Sequence, residues 1–260
     1  MSRKRTCNRA ATIENLREPE IKAALIDALF EDGRIYGDSV VISEMPLTTM
    51  SRRADIVLAN GHLLGFEIKS DGDKITRLCA QIEAYQRTFE GIFIVSGARH
   101  LSQVINSAPH HVGIVAIDLG EGSIPEAKMI RKPHFKNMSI EVAIRQMRAN
   151  ELFKLAQKFN ANPGGARDRF TLERQVRELP ATEVRLAALE AVKNRYRSPY
   201  EAFLLARSQS GRTLEALRYL QRPSWNASRA IIPNEQANSC ASEIADLQKL
   251  KLNVRPRKVG

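Results

Sequence analysis

The chain has few cysteines, one tryptophan and no long apolar run. Its three cysteines, Cys7, Cys79 and Cys240, lie too far apart for a disulfide framework or a Cys-x-x-Cys zinc site. They suit a reducing compartment, so a cytoplasmic location is expected. No stretch approaches the roughly 18 apolar residues of a membrane span. The basic start, Met1 to Arg9, is not followed by the apolar core of a signal peptide, so export is not expected. No Gly-x-x-x-x-Gly-Lys loop occurs, which argues against an intrinsic ATPase or helicase. His100, His110, His111 and His134 show no zinc-ligand spacing.

Hydrophobic residues make up 43% and charged residues 27% of the 260 positions, a globular balance with enough chain for one large domain or two small ones. Acids become scarce in the second half. Residues 1–140 carry 18 Lys/Arg against 17 Asp/Glu, and residues 141–260 carry 22 against 12, so nearly all of the net +11 lies in the latter. Such a field fits a polyanionic partner, most simply nucleic acid; the bland alternative is a solvated basic surface.

The periodicity divides the chain into a basic tip (1–12), an α/β region (13–138), a helical region (139–221) and an irregular basic tail (222–260). A helix is expected from Glu18-Pro19-Glu20, because proline suits the first helical position and acids suit the positive end of the dipole. Ile21, Leu25 and Leu29 continue it as an apolar stripe. Strands are expected over Ser39–Glu44, Arg53–Leu58, Leu63–Lys69, Ile92–Ser96 and Val112–Asp118, with helices over Lys74–Phe89 and Arg99–Ser107. Beyond Ser139 the expected helices are Ser139–Phe159, Thr171–Leu179, Thr182–Tyr196, Pro199–Ser208 and Thr213–Gln221, with Arg197-Ser-Pro199 as a break.

Asn60-Gly61 is a hairpin signal. A two-residue turn there would put Asp55 and Glu67 on opposite faces. A three-residue loop, Ala59-Asn60-Gly61, places Asp55, Val57, Gly65, Glu67 and Lys69 on one face and the apolar set Ile56, Leu58, Leu64, Phe66 and Ile68 on the other. The apolar uniformity of the second set supports that register. Two carboxylates about 5–8 Å apart on neighbouring strands repel unless a cation lies between them. A hard divalent ion such as Mg²⁺ prefers such oxygens. It would activate water for phosphodiester hydrolysis, with Lys69 beside it. The alternative for these residues is an ion-pair cluster of Asp55 and Glu67 with Arg53 and Lys69.

The helix acid, Asp55, Glu67-Ile68-Lys69 and the α-β-β-β-α-β order resemble the PD-(D/E)XK nuclease superfamily. Gln81-Ile-Glu-Ala-Tyr85 resembles the Gln-x-x-x-Tyr motif of its RecB-like branch. Leu16-Arg-Glu-Pro-Glu-Ile-Lys22, Arg53-Ala-Asp-Ile56 and Gly65-Phe-Glu-Ile-Lys-Ser-Asp71 look like a largely uncharacterised bacterial and phage family within it, over roughly residues 14–200. The superfamily's leading proline is absent, since Ala54 precedes Asp55.

The resemblance implies a restriction-endonuclease-like core and a Mg²⁺-dependent nuclease, with Mn²⁺ as substitute and DNA as the expected substrate. Asp55, Glu67, the Ile68 backbone carbonyl and Glu18 would hold the metal, Lys69 would be the catalytic lysine, and Glu18 or Glu20 would complete the site. Gln81, Tyr85 and Arg77 would face the substrate. A homodimer is compatible with the superfamily. Arg185, Lys193, Arg195, Arg197, Arg207, Arg212 and Arg218, with Tyr196 and Trp225 for stacking, would make the helical region a DNA-binding module; the alternative is a helical cap on the core. The rival function is a non-catalytic nucleic-acid-binding accessory protein that keeps the fold.

Overall fold

The hairpin at Asn60-Gly61 forms and sets the register of the sheet. In the computed structural model, which describes residues 16–47 and 52–220, strand β2 (Arg53–Ala59) pairs antiparallel with β3 (Leu63–Lys69), Ile56 opposite Phe66 and Ala59 opposite Leu63. The loop therefore has three residues, as the parity of the side chains requires, but they are Asn60, Gly61 and His62. That is one position later than expected. Gly61 takes a positive φ of 107°, which favours glycine, and the Asn60 N–H donates to the His62 carbonyl.

Six strands form one mixed sheet in chain order. β1 (Val40–Pro46) and β2 are antiparallel. β3, β4 (Gly91–Gly97) and β5 (Gly113–Leu119) are parallel. A last strand, β6 (Pro125–Arg131), runs antiparallel along the edge. The sequence reading missed β6. Its residues alternate between exposed and half-buried and include only two large apolar side chains, so its period-2 signal is weak; pairing with β5 creates it.

Helix α1 (Glu18–Glu31) covers the apolar face: Leu25 and Leu29 line a small cavity together with Phe66, Phe93 and Val115. Phe66 stacks on Phe93 with centroids 4.6 Å apart. The expected helix over Lys74–Phe89 is a 3₁₀ turn (Ile75–Arg77) followed by α2 (Leu78–Gln86). α3 (Ala98–Ser107) connects β4 to β5. α2 and the turn after it close the other face at β3, where a Cβ on Gly65 would lie 2.3 Å from the Phe89 ring. Phe89 is buried and cannot retreat. Gly65→Ala is therefore expected to destabilise the protein by about 1–3 kcal/mol, the usual range for overpacking, as measured by denaturant unfolding. Wild-type stability in that variant would refute the close packing.

The helical region departs from expectation at two points. Ser139–Phe159 is two helices, α4 (Ile140–Gln146) and α5 (Ala149–Lys158). At the junction the Glu151 carboxylate accepts the Arg148 N–H at 2.6 Å. The α4 carbonyls of Gln146 and Ile144, with that of Met147 just after it, accept hydrogen bonds from Arg195 and Arg169. Conversely, Arg197-Ser-Pro199 interrupts nothing. After α6 (Arg169–Arg177), α7 runs from Ala181 to Ser210 with Pro199 inside. Pro199 forfeits one backbone hydrogen bond, and burial of Tyr196, Tyr200 and Phe203 on the same helix offsets it. α8 (Thr213–Ala216) and a 3₁₀ turn (Leu217–Tyr219) replace the longer helix expected at Thr213–Gln221. The basic tip, Trp225 and the tail 222–260 lie outside the described residues.

Candidate metal and catalytic site

The sheet opens where β2 and β3 leave their common ladder. The last pair there is Ile56 with Phe66. One residue further, the Asp55 carboxylate accepts the Ile68 N–H at 2.7 Å. This bond fixes Asp55 at the mouth of the hairpin. The Ile68 atom tied to Asp55 is thus its amide nitrogen; the expected role of the Ile68 carbonyl has no counterpart among these contacts.

Glu67 and Lys69, two apart on β3, leave the same face and meet α2. Lys69 Nζ donates to Glu67 Oε1 at 2.9 Å and to Gln81 Oε1 at 2.7 Å. The Gln81 amide closes the triangle by donating to Glu67 Oε1. Glu67 and Lys69 are both 4% exposed, so each depends on the others for its polar partners. The Lys69–Glu67 pair of the simple ion-pair alternative is therefore real, but Gln81 rather than Arg53 completes it.

Tyr85, one turn after Gln81, is buried. Its hydroxyl accepts the Asp55 N–H at 3.3 Å and lies 3.5 Å from the Phe66 carbonyl. Tyr85 therefore bridges the two hairpin strands through backbone groups of Asp55 and Phe66. Burial and the nearby Glu67 and Asp55 carboxylates push its phenol well above the usual value. Arg77 is exposed at the start of α2.

A second group of charges adjoins Asp55. Carboxylate oxygens of Glu18, Glu44 and Asp55 lie within 4.8 Å of one another. Glu18 stands at the start of α1. Glu44 lies across from Asp55, between the pairs Ser43–Ile56 and Met45–Ala54, with a positive φ of 56°, a costly conformation for a non-glycine residue that is often found at functional sites. Lys22, one turn along α1 from Glu18, reaches the same group: its Nζ is 2.6 Å from Glu18 Oε1 and 2.7 Å from Glu44 Oε1. Burial opposes the charge on Lys22, but the hydrogen bonds to Glu18 and Glu44 outweigh it and hold its pKa above normal.

Of the two helix acids, Glu18 is the one that joins this group. Glu20 turns away to pair with Arg17 at 2.9 Å. The reading of the sequence missed Glu44 and Lys22. Lys22 follows Glu18 by four residues, a spacing that brings two helix side chains together, so part of the signal was present. Nothing local marks Glu44, because only the β1–β2 register brings it to Asp55.

Asp55 belongs to both groups. Burial, then the Glu67 carboxylate, raise its pKa to about 8; Glu18 adds to this, while the Ile68 N–H and Lys22 oppose it. Such a concentration of carboxylates favours either a proton or a cation. The converging donors are all carboxylate oxygens, the set a hard divalent ion prefers, and the Lys22 ammonium already lies against two of them. The residues fit Mg²⁺ or Mn²⁺, with Glu18, Glu44 and Asp55 as the nearest donors. Glu67, expected as a ligand, presents one oxygen to Lys69 and Gln81 instead.

The family model described as "Bacteriophage P4 protein cII" matches residues 11–221. The chain belongs to the phage P4 cII family. "Protein cII" of Enterobacteria phage P4 is 32% identical over 192 residues, covering 74% of this chain and 72% of that protein. Every side chain of the site just described lies inside the matched segment of the cII family. Among solved structures, a protein of unknown function from Silicibacter pomeroyi shares 14% identity at a TM-score of 0.38, covering 58% of this chain and 96% of its own.

Three of the cations expected to meet DNA, Arg185, Lys193 and Arg207, fasten the helical region of this cII-family chain to the α/β region. Arg185 grips buried Glu90, Lys193 pairs with Asp38 at 2.6 Å, and Arg207 pairs with Asp27 at 2.8 Å. Arg195 pairs with Glu151 at 2.9 Å, and Tyr196 is buried. Arg212 pairs with Glu215, and Arg218 lies over the Tyr219 ring. Among the described residues no helix is long and apolar enough to cross a membrane.

Proposed function

We propose that the protein is a metal-dependent nuclease of the PD-(D/E)XK type, of the RecB-like branch, that hydrolyses phosphodiester bonds of DNA. The observation that carries this reading is the Glu67–Lys69–Gln81 triangle set beside Asp55, whose carboxyl is raised to about 8 by burial and by Glu67. Strongly shifted carboxyls beside a buried lysine mark sites built for chemistry more often than for stability. When bound at Glu18, Glu44 and Asp55, a divalent ion would keep the acids ionised, lower the pKa of a water and offset phosphate charge.

The chain's own residues supply positioning. The Ile68 N–H and the Tyr85 hydroxyl fix Asp55 from both sides. Gln81 and Glu67 hold the Lys69 ammonium at one point, from which it donates to an attacking water or to a phosphate oxygen as negative charge grows there. The lysine enters the transition state already oriented, so little reorganisation is needed. Arg77, exposed at the start of α2, is placed to meet a backbone phosphate.

The test is incubation of the purified full chain with single-stranded DNA, double-stranded DNA and RNA, with Mg²⁺, Mn²⁺ or EDTA. Metal-dependent cleavage of DNA that disappears in Lys69→Ala is the expected result. DNA binding without cleavage under every condition would favour the non-catalytic accessory role, and cleavage of RNA alone would overturn DNA as the substrate. Because so many cations of the helical region are engaged internally, the salt dependence of binding should correspond to few phosphate contacts there.

A further inference from the structure

We propose that Lys22 is a built-in counter-ion that occupies the carboxylate group of Glu18, Glu44 and Asp55 in the metal-free protein and competes with the divalent ion for it. This rests on the metal-centre reading above and adds a control element to it. Two observations carry it. Lys22 Nζ lies within 2.7 Å of one carboxylate oxygen on each of Glu18 and Glu44, and those two residues supply donors to the cluster that also includes Asp55. Lys22 is itself only 7% exposed, and a buried ammonium is retained where acids neutralise it.

The geometry makes the competition direct. An ammonium at hydrogen-bond distance from Glu18 and Glu44 occupies one oxygen on each of two carboxylates that an ion would draw on. It also places a positive charge within a few ångströms of the incoming one, where repulsion in a partly dry site is large. Lys22 is a flexible point charge on a four-carbon stem, so it can withdraw without moving α1. The metal-free protein is thereby spared a bare cluster of acids, and loading requires a higher concentration of divalent ion than the three carboxylates alone would demand. Glu44 is the hinge of the arrangement, being the acid that Lys22 holds from across the first strand.

The test measures Mn²⁺ binding by the loss of the free-ion electron paramagnetic resonance signal, with the full chain at fixed pH and no nucleic acid present. Lys22→Met and Lys22→Gln are compared with wild type. Lys154→Met, which removes an exposed lysine of α5, controls for net charge, and Asp55→Asn controls for the site. The expected result is a dissociation constant lowered about tenfold or more in both Lys22 variants, no change in Lys154→Met, and loss of binding in Asp55→Asn. Binding that is lost in Asp55→Asn yet unchanged or weaker in the Lys22 variants would overturn the competition and leave the metal centre standing. Absence of Mn²⁺ binding in every protein, or equal binding in wild type and Asp55→Asn, would overturn the metal centre and the competition together. Thermal melts show which variants fold, and either Lys22 variant suffices.

Discussion

Asp55→Asn is expected to make the metal-free protein more stable at pH 8.5 while reducing cleavage by about 10³-fold. Asp55 is buried beside Glu67 and near Glu18, and its pKa is raised to about 8 from an ordinary 3.8. The folded state therefore binds this proton more tightly than the unfolded chain does. Its contribution to stability is fully present below the unfolded pKa near 4 and is lost as pH rises towards 8. Above that, the carboxylate is charged in both states and the folded protein bears the whole repulsion. Asparagine cannot ionise, yet its side-chain oxygen can still accept the Ile68 N–H.

The gain at pH 8.5 should be several kcal/mol, at most the ~6 kcal/mol that a rise from 3.8 to about 8 represents, and should show as a rise in melting temperature; it should vanish near pH 4. Added Mg²⁺ should raise the melting temperature of wild type but not of the variant. Melts across pH with and without metal check each part. A variant no more stable than wild type at high pH would show that Asp55 is already balanced by a neighbour. Lower activity with higher stability would mark Asp55 as a residue kept for function at the expense of the fold.

Glu90→Gln should cost about 3–5 kcal/mol, the usual effect of breaking a buried ion pair from one side. Glu90 is almost fully buried at the start of β4. Its Oε2 accepts the Leu63 N–H at 2.8 Å, and its Oε1 accepts the Met138 N–H at 3.2 Å and Arg185 Nε at 2.5 Å. Arg185 Nη2 continues to the Gly61 carbonyl at 2.6 Å. One carboxylate thus ties the hairpin, the strand after α2 and the long helix α7. An amide in its place would direct N–H groups at donors, because Leu63, Met138 and Arg185 all present hydrogen. A fall in melting temperature on the order of 10 °C is expected. The double variant Glu90→Leu/Arg185→Leu should lose less than the two single changes added together. Strict additivity of the two would show that the residues do not act as a latch.

The hairpin of β2 and β3 was legible because its information is local and redundant. Asn60-Gly61 announces a turn, and Ile56, Leu58, Leu64, Phe66 and Ile68 admit one register. The parity of Asp55 with Glu67 followed from that, while the loop position slipped by one because Ala59 and His62 are equally acceptable at its edge. The two-residue spacing of Glu67 and Lys69 on a strand put them on one face, and Gln81 on the following helix closes on them. Only packing shows that the Tyr85 hydroxyl faces backbone.

The sequence alone determined the α/β class, the hairpin and the acid–acid–lysine set, because each is written in spacings of two to about a dozen residues that the backbone period converts into faces. The tertiary structure decided the rest. It brought Glu44 of β1 beside Asp55 of β2 and set Lys22 between Glu44 and Glu18. It carried α7 through Pro199 and set Arg185, Lys193 and Arg207 against Glu90, Asp38 and Asp27. The bonds from Lys22 to Glu44 and from Arg207 to Asp27 span 22 and 180 positions. Their energies depend on burial and on which partner is within reach, and neither is a property of the sequence near any one of them.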